Sequence, residues 1–183
     1  MWKSILCLIP ATALGLDLNP RSDIKVMEGM RIPVISFDDP GHKIHWTPPN
    51  GWSMTYEKGV LKLAPKNLSY ASMELRVVSH VSGDRELFGK TETLLPYCAK
   101  FLSPLATKLV YKGTSLGAFT IGPTPAREFL VDFTEHGHLT RSSVCLLDYS
   151  DRERLILVIT AQPNDFDSVR ATAIESMFSW LVD

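Results

Sequence analysis

The chain has 183 residues, of which 45% are hydrophobic and 21% charged, and its formal net charge is −1. That length suits one domain able to bury a core without disulfide or metal staples. The near-zero charge provides no long-range field to gather nucleic acid or an anionic membrane, so neither is an expected partner.

The N-terminus departs from the average composition. Met1-Trp2-Lys3 carries one side-chain positive charge, and no charge follows until Asp17. A basic start, a short apolar stretch and small residues before a cleavage point describe a secretory signal peptide. Cleavage after Ala13 would use Ala11 and Ala13, and cleavage after Gly15 would use Ala13 and Gly15. Residues 1–15 are therefore expected to be a leader and the mature protein periplasmic or secreted. Retention of the leader would place it in the cytoplasm instead. A bilayer span needs about 20 apolar residues, so no transmembrane segment is expected in the mature chain. Removing the leader leaves Cys98 and Cys145. An even count permits one disulfide, but both lie in apolar runs, where free thiols pack as small hydrophobes.

Residues 16–47 contain Pro20, Pro33 and Pro40. Short strand-like pieces sit between them, around Ile24 to Met27, Ile32 to Phe37 and Lys43 to Trp46. Proline cannot serve a central ladder, so this stretch reads as an irregular arm with edge strands at most. Trp52 to Tyr56 and Val60 to Ala64, joined by Glu57-Lys58-Gly59, give a hairpin signal. Met73, Leu75 and Val77 alternate with Glu74 and Arg76, as in a strand with one wet face. Ser82-Gly83-Asp84 marks a loop.

Leu94, Tyr97, Cys98, Phe101, Leu102 and Leu105 fall on one helical stripe. Thr93 is the N-cap candidate, Pro96 lies in the first turn, and Pro104 ends the helix. Gly113-Thr114-Ser115-Leu116-Gly117 lacks the lysine and spacing of a phosphate loop and reads as a loop between strands. Three strand runs follow. Phe129, Val131 and Phe133 alternate with polar residues; Leu139 to Tyr149 contains the continuous apolar run Val144-Cys145-Leu146-Leu147, and Leu155 to Ile159 is apolar on both faces. Such strands are covered on both sides. A last helix follows Pro163-Asn164-Asp165, with Val169, Ala173, Ile174, Met177, Phe178 and Leu181 as its stripe. The expected fold class is α+β, an antiparallel sheet sandwiched by helices.

Pro48-Pro49-Asn50-Gly51-Trp52 leads into the hairpin, and Pro163-Asn164-Asp165-Phe166-Asp167 precedes a terminal helix carrying Met177-Phe178-Ser179-Trp180. This layout resembles the PsbP-like α/β/α sandwich family over residues 48–183. The family includes extrinsic photosystem subunits, Ran-binding Mog proteins and small exported bacterial proteins. The resemblance implies one domain over residues 48–183 and a mostly non-enzymatic role, binding another protein or accompanying a larger assembly. It implies no catalytic residues and no cofactor.

Candidate chemistry is sparse. Glu135-His136-Gly137-His138 holds ligand types in a turn. Two imidazoles and a carboxylate can hold a transition metal, yet a solvated turn accounts for the same residues. His42 and His45, three apart in an extended segment, face opposite sides. Glu128 and Asp132 share one strand face; paired carboxylates can exchange protons, and a wet strand face explains them more simply. No G-x-S-x-G elbow is present. Cys145, in Val-Cys-Leu-Leu, lacks the exposed, electropositive setting of a nucleophile. Trp46 and Trp52 flank a Pro-Pro loop and either lid the core or anchor a partner; that loop is the first place to look for a binding surface. The expectation is an exported, non-catalytic binding or accessory protein without a cofactor. The alternatives are a metal-binding protein or hydrolase-type enzyme using His136 and His138, and a cytosolic protein-interaction module.

Overall fold

The computed structural model describes residues 15–79, 91–121 and 124–182, so the leader before Gly15, the loop at Ser82 to Asp84 and His80 lie outside the described residues. The elements run β1 (Asp17–Met27), β2 (Met30–Asp39), β3 (His42–Trp46), β4 (Trp52–Glu57), β5 (Val60–Pro65), β6 (Ser72–Ser79), α1 (Thr91–Ala99), β7 (Thr107–Ile121), β8 (Thr124–Glu135), β9 (His138–Asp148), β10 (Glu153–Ala161), α2 (Pro163–Met177) and β11 (Leu181–Val182). They form a four-stranded sheet, order β1-β2-β3-β11, and a seven-stranded sheet, order β4-β5-β6-β10-β9-β8-β7, with antiparallel pairing throughout.

This corrects the expected α+β class. Among the described residues the chain is mostly strand, with helices of 9 and 15 residues. Two misread segments account for the difference. The proline-rich stretch is three strands of the smaller sheet. Pro20 falls where the β1–β2 register slips between Asp17 and Arg21. Pro33 lies beyond the part of β2 that pairs with β3, which starts at Ile35. Neither proline is asked to bond on both sides, so the ladder tolerates them. The glycine-bearing stretch read as a loop lies inside β7, at the edge of the larger sheet.

The hairpin at Lys58-Gly59 is as expected. Lys58 and Gly59 both have positive φ, as do Glu28-Gly29 and His136-Gly137. Two-residue hairpin loops need that backbone because its twist matches the flanking strands.

Both faces of the large sheet are buried, which explains the continuous apolar runs of β9 and β10. Val144, Leu146, Ile156 and Val158 pack with Leu94, Cys98 and Leu102. On the other face Cys145, Leu157 and Ile159 meet Phe166, Val169, Ala173 and Met177 of α2, together with Phe37, Ile44 and Trp46 of the smaller sheet. One face is thus covered through α1 and the other through α2 and a second sheet. Arg154, with 0% side-chain exposure, bonds Asp148 at 2.7 Å and the Tyr97 hydroxyl at 3.2 Å, which ties the α1 side to the sheet.

The helices are shorter than their apolar stripes suggest. After Ala99 the chain continues through i→i−3 bonds at Lys100, Phe101 and Leu102. It leaves Leu105 exposed. Helix α2 starts at Pro163, whose missing N–H costs nothing at the first position. Gln162 is its cap residue and makes no side-chain capping bond. Phe178 lies past the helix end and is exposed, as is Leu181 in β11. In their place Trp180 turns inward, 5.2 Å from the Phe37 ring and 6.3 Å from the Trp46 ring.

Candidate functional site: the cleft between α2 and the β7 edge

Strand alternation sets the site. Phe129, Val131 and Phe133 point toward α1, so Glu128, Leu130 and Asp132 point toward α2. Both carboxylates are buried, at 4% and 6% exposure. The wet face expected from the sequence is therefore covered, and each carboxylate takes a cation. Arg170 of α2 donates from Nε to Glu128 Oε1 at 2.6 Å and from Nη2 to Oε2 at 2.5 Å. Ser115 of β7 donates to Oε2 at 3.0 Å, and Ser143 of β9 donates to Oε1. Arg141, opposite Asp132 on β9, donates to it at 2.7 and 3.0 Å.

β7 contributes through its irregularities. Tyr111 pairs with Val131 and Gly113 with Leu130, which leaves Lys112 as an extra residue. Such a bulge re-aims a side chain, and Lys112 Nζ lies 3.5 Å from Asp132 Oδ2. Gly113 follows with φ 155, and a Cβ placed there would meet nothing within 4 Å. The open space is a cleft of about 300 Å³, lined by Gly113, Ser115, Glu128, Leu130, Phe166, Asp167 and Arg170 among others. A second hollow of about 230 Å³ lies at the start of α2, beside Tyr70, Gln162 and Asp165.

Burial opposes ionisation of Glu128. The Arg170 and Ser143 hydrogen bonds, the Arg170 charge and the Ser115 hydrogen bond outweigh it and hold the carboxyl below the ordinary range. At Asp132 the Arg141 hydrogen bonds dominate and lower the carboxyl against its partial desolvation. The pair that sequence spacing places on one strand face thus consists of two ionised, arginine-bound groups. They do not share a proton.

The other candidates are dispersed. His136 and His138 are exposed at the β8–β9 turn, with Glu135 paired across from His138. The His138 ring lies 6.2 Å from that of Tyr70. Among the described residues no three ligand-type side chains gather closely enough for a metal ion. His45 is buried and His42 exposed, both in β3. Cys98 and Cys145 are free thiols in clusters on opposite faces of the large sheet. Burial pushes each up to about 12.

Trp46 is fully buried. Its Nε1 donates to the Ser176 carbonyl at 3.0 Å, and its ring stacks on Phe37 at 5.9 Å. It lids the core and is closed to a partner. Trp52 is half-buried against the same cluster.

Sequence reasoning missed Asp167, Arg170 and Ser115. One signal was present: Phe166 and Arg170 lie four apart beside the buried stripe Val169, Ala173, Met177, which puts a cation on the margin of a core-facing helix. Its partner strand could not be named without the fold.

No family model matches the chain, nor does any curated protein. Solved structures similar to it include a Pseudomonas aeruginosa protein of unknown function. That match has 10% identity and a TM-score of 0.45, covering 85% of this chain and 93% of that one. Another is cyanobacterial PsbP from Synechocystis, at 10% identity and a TM-score of 0.49, covering 76% of this chain and 86% of that one. The second is a member of the family that the layout of residues 48–183 resembles. Among the described residues no helix is long and apolar enough to cross a membrane.

Proposed function

We propose that this is an exported, non-catalytic binding protein that accompanies another protein or assembly, with the α2–β7 cleft as its recognition surface. The observation that carries the reading is the state of Glu128. A general base needs a lone pair free to take a proton and a pKa near the working pH. Both Glu128 oxygens are engaged by Arg170, one also by Ser115 and the other by Ser143. The carboxyl is held below its usual range. That arrangement fixes Glu128 in place as a wall of the cleft and takes it out of use as a proton acceptor. Export rests on the leader-like composition of residues 1–15.

The test is affinity capture from the native host with wild type and Leu130→Phe, which fills the cleft, followed by mass spectrometry of bait and partners. A defined partner should be recovered with wild type and depleted several-fold with the variant, and the bait should begin after Ala13 or Gly15. A bait that keeps its first residues overturns export. A partner indifferent to the variant overturns the choice of cleft.

A further inference from the structure

We infer that the α2–β7 cleft takes a small zwitterion, an α-amino acid with an apolar side chain. This rests on the cleft being a recognition surface, and it gives that surface a small-molecule ligand in addition to the protein partner.

The first support is the unused edge of Arg170. A guanidinium carries five donors in a rigid fork with two bidentate edges. Glu128 occupies the edge made by Nε and Nη2. Nη1 makes no hydrogen bond among the described residues, and Arg170, with 34% of its side chain exposed, lines the cleft. The remaining edge, Nη1 with the outer Nη2 hydrogen, fits a carboxylate bidentately. Glu128 also fixes the plane of the guanidinium, so little ordering is left to do when a second carboxylate arrives.

The second support is Asp167. It stands three residues before Arg170 on the same helix face, lines the cleft, and is exposed. It carries neither a hydrogen bond nor an ion pair among the described residues. Glu128 and Arg170 pair with each other, so Asp167 is the cleft-lining carboxylate left to meet an ammonium beside the carboxylate that Arg170 takes, with the Arg141 guanidinium acting on it from beyond Phe166.

The third support is shape. Leu130 lies on the floor opposite Gly113, where the missing side chain leaves room. A volume of about 300 Å³ is at the lower end of ligand cavities and suits a single amino acid.

The experiment is calorimetric or NMR titration of the full chain with L-leucine, L-leucinamide, N-acetyl-L-leucine and N-acetyl-L-leucinamide. L-leucine should saturate one site. Each single cap should weaken binding about tenfold or more, the value of one charge-assisted contact. Asp167→Asn should weaken L-leucine comparably, and Leu130→Phe should abolish its binding. Asp167 is exposed, so its variant tests the site without testing the fold. Equal binding of N-acetyl-L-leucinamide would make the cleft a peptide-backbone site and overturn the zwitterion. So would saturation unaffected by either variant, or no saturation by any probe. If no probe binds while partner capture still depends on Leu130, the ligand class falls and the recognition surface stands. If both are lost, both readings fall.

Discussion

Glu128 has 4% of its surface exposed and is still ionised, because Arg170, Ser143 and Ser115 supply what water would. Removing one partner of a buried pair costs more than the pair contributes, since the other is left unpaired. The thiols show the opposite environment. Cys98 and Cys145 are both buried and raised to about 12, with burial as the leading cause. A thiolate is the reactive form, so neither should react in the native protein. The third cysteine, Cys7, lies in the expected leader, so in a Cys7→Ser variant at pH 8 an aromatic disulfide reagent should label no thiol within the manual mixing time. It should label both after denaturation. Rapid labelling of either in the folded protein would mean that its covering layer opens readily.

At the scale of elements, the smaller sheet is held on largely by aromatics. Phe37, Trp46 and Trp180 pack together, and the two-residue β11 adds pairs to His45 and Ile44 of β3. Trp180→Ala removes the side chain that closes this cluster. Burial losses of that kind cost about 3–5 kcal/mol. The urea midpoint should fall accordingly, and amide exchange should rise in β2 and β3 before it rises in β9 and β10. Uniform loosening of both sheets would contradict a separately seated small sheet. The edge strand β7 has a different problem, since exposed edges invite pairing with other chains. Three register shifts interrupt it, with Lys108 at positive φ and Lys112 as the extra residue in the Tyr111–Gly113 bulge. These features blunt the edge, and one of them also opens the cleft.

At the scale of the whole molecule, acid should be the weak direction. At Glu74 desolvation opposes ionisation, and the Arg76 and Lys62 hydrogen bonds outweigh it. Glu128 and Asp132 are also lowered. A carboxyl lowered on folding contributes stability that is full above its unfolded pKa, about 4. That stability disappears as pH falls through the folded value. Thermal midpoints should stay level between roughly pH 7 and 5 and drop below about pH 4. A midpoint unchanged down to about pH 2.5 would mean these pairs add nothing to folding. Because Arg141 and Lys112 are partly exposed, added salt should reduce the Asp132 share.

Local chemistry alone determined much of this protein. Alternation and turn residues placed the β4–β5 hairpin, β6 and the β8–β9–β10 meander, and helical spacing placed α1 and α2. Continuous apolar runs in β9 and β10 required cover on both faces. These signals are legible because each depends on neighbours within a few residues. Tertiary structure alone decided the rest. Pro20 and Pro33 look like strand breakers until the register shows that each sits where a ladder bond is not needed. Gly113 to Gly117 looks like a loop until β8 pairs with it. Glu128 and Asp132 look solvated until α2 and β9 bring Arg170 and Arg141 onto them. In each case the deciding partner is far away in sequence, and burial turns a pattern of polar residues into a charge-paired wall.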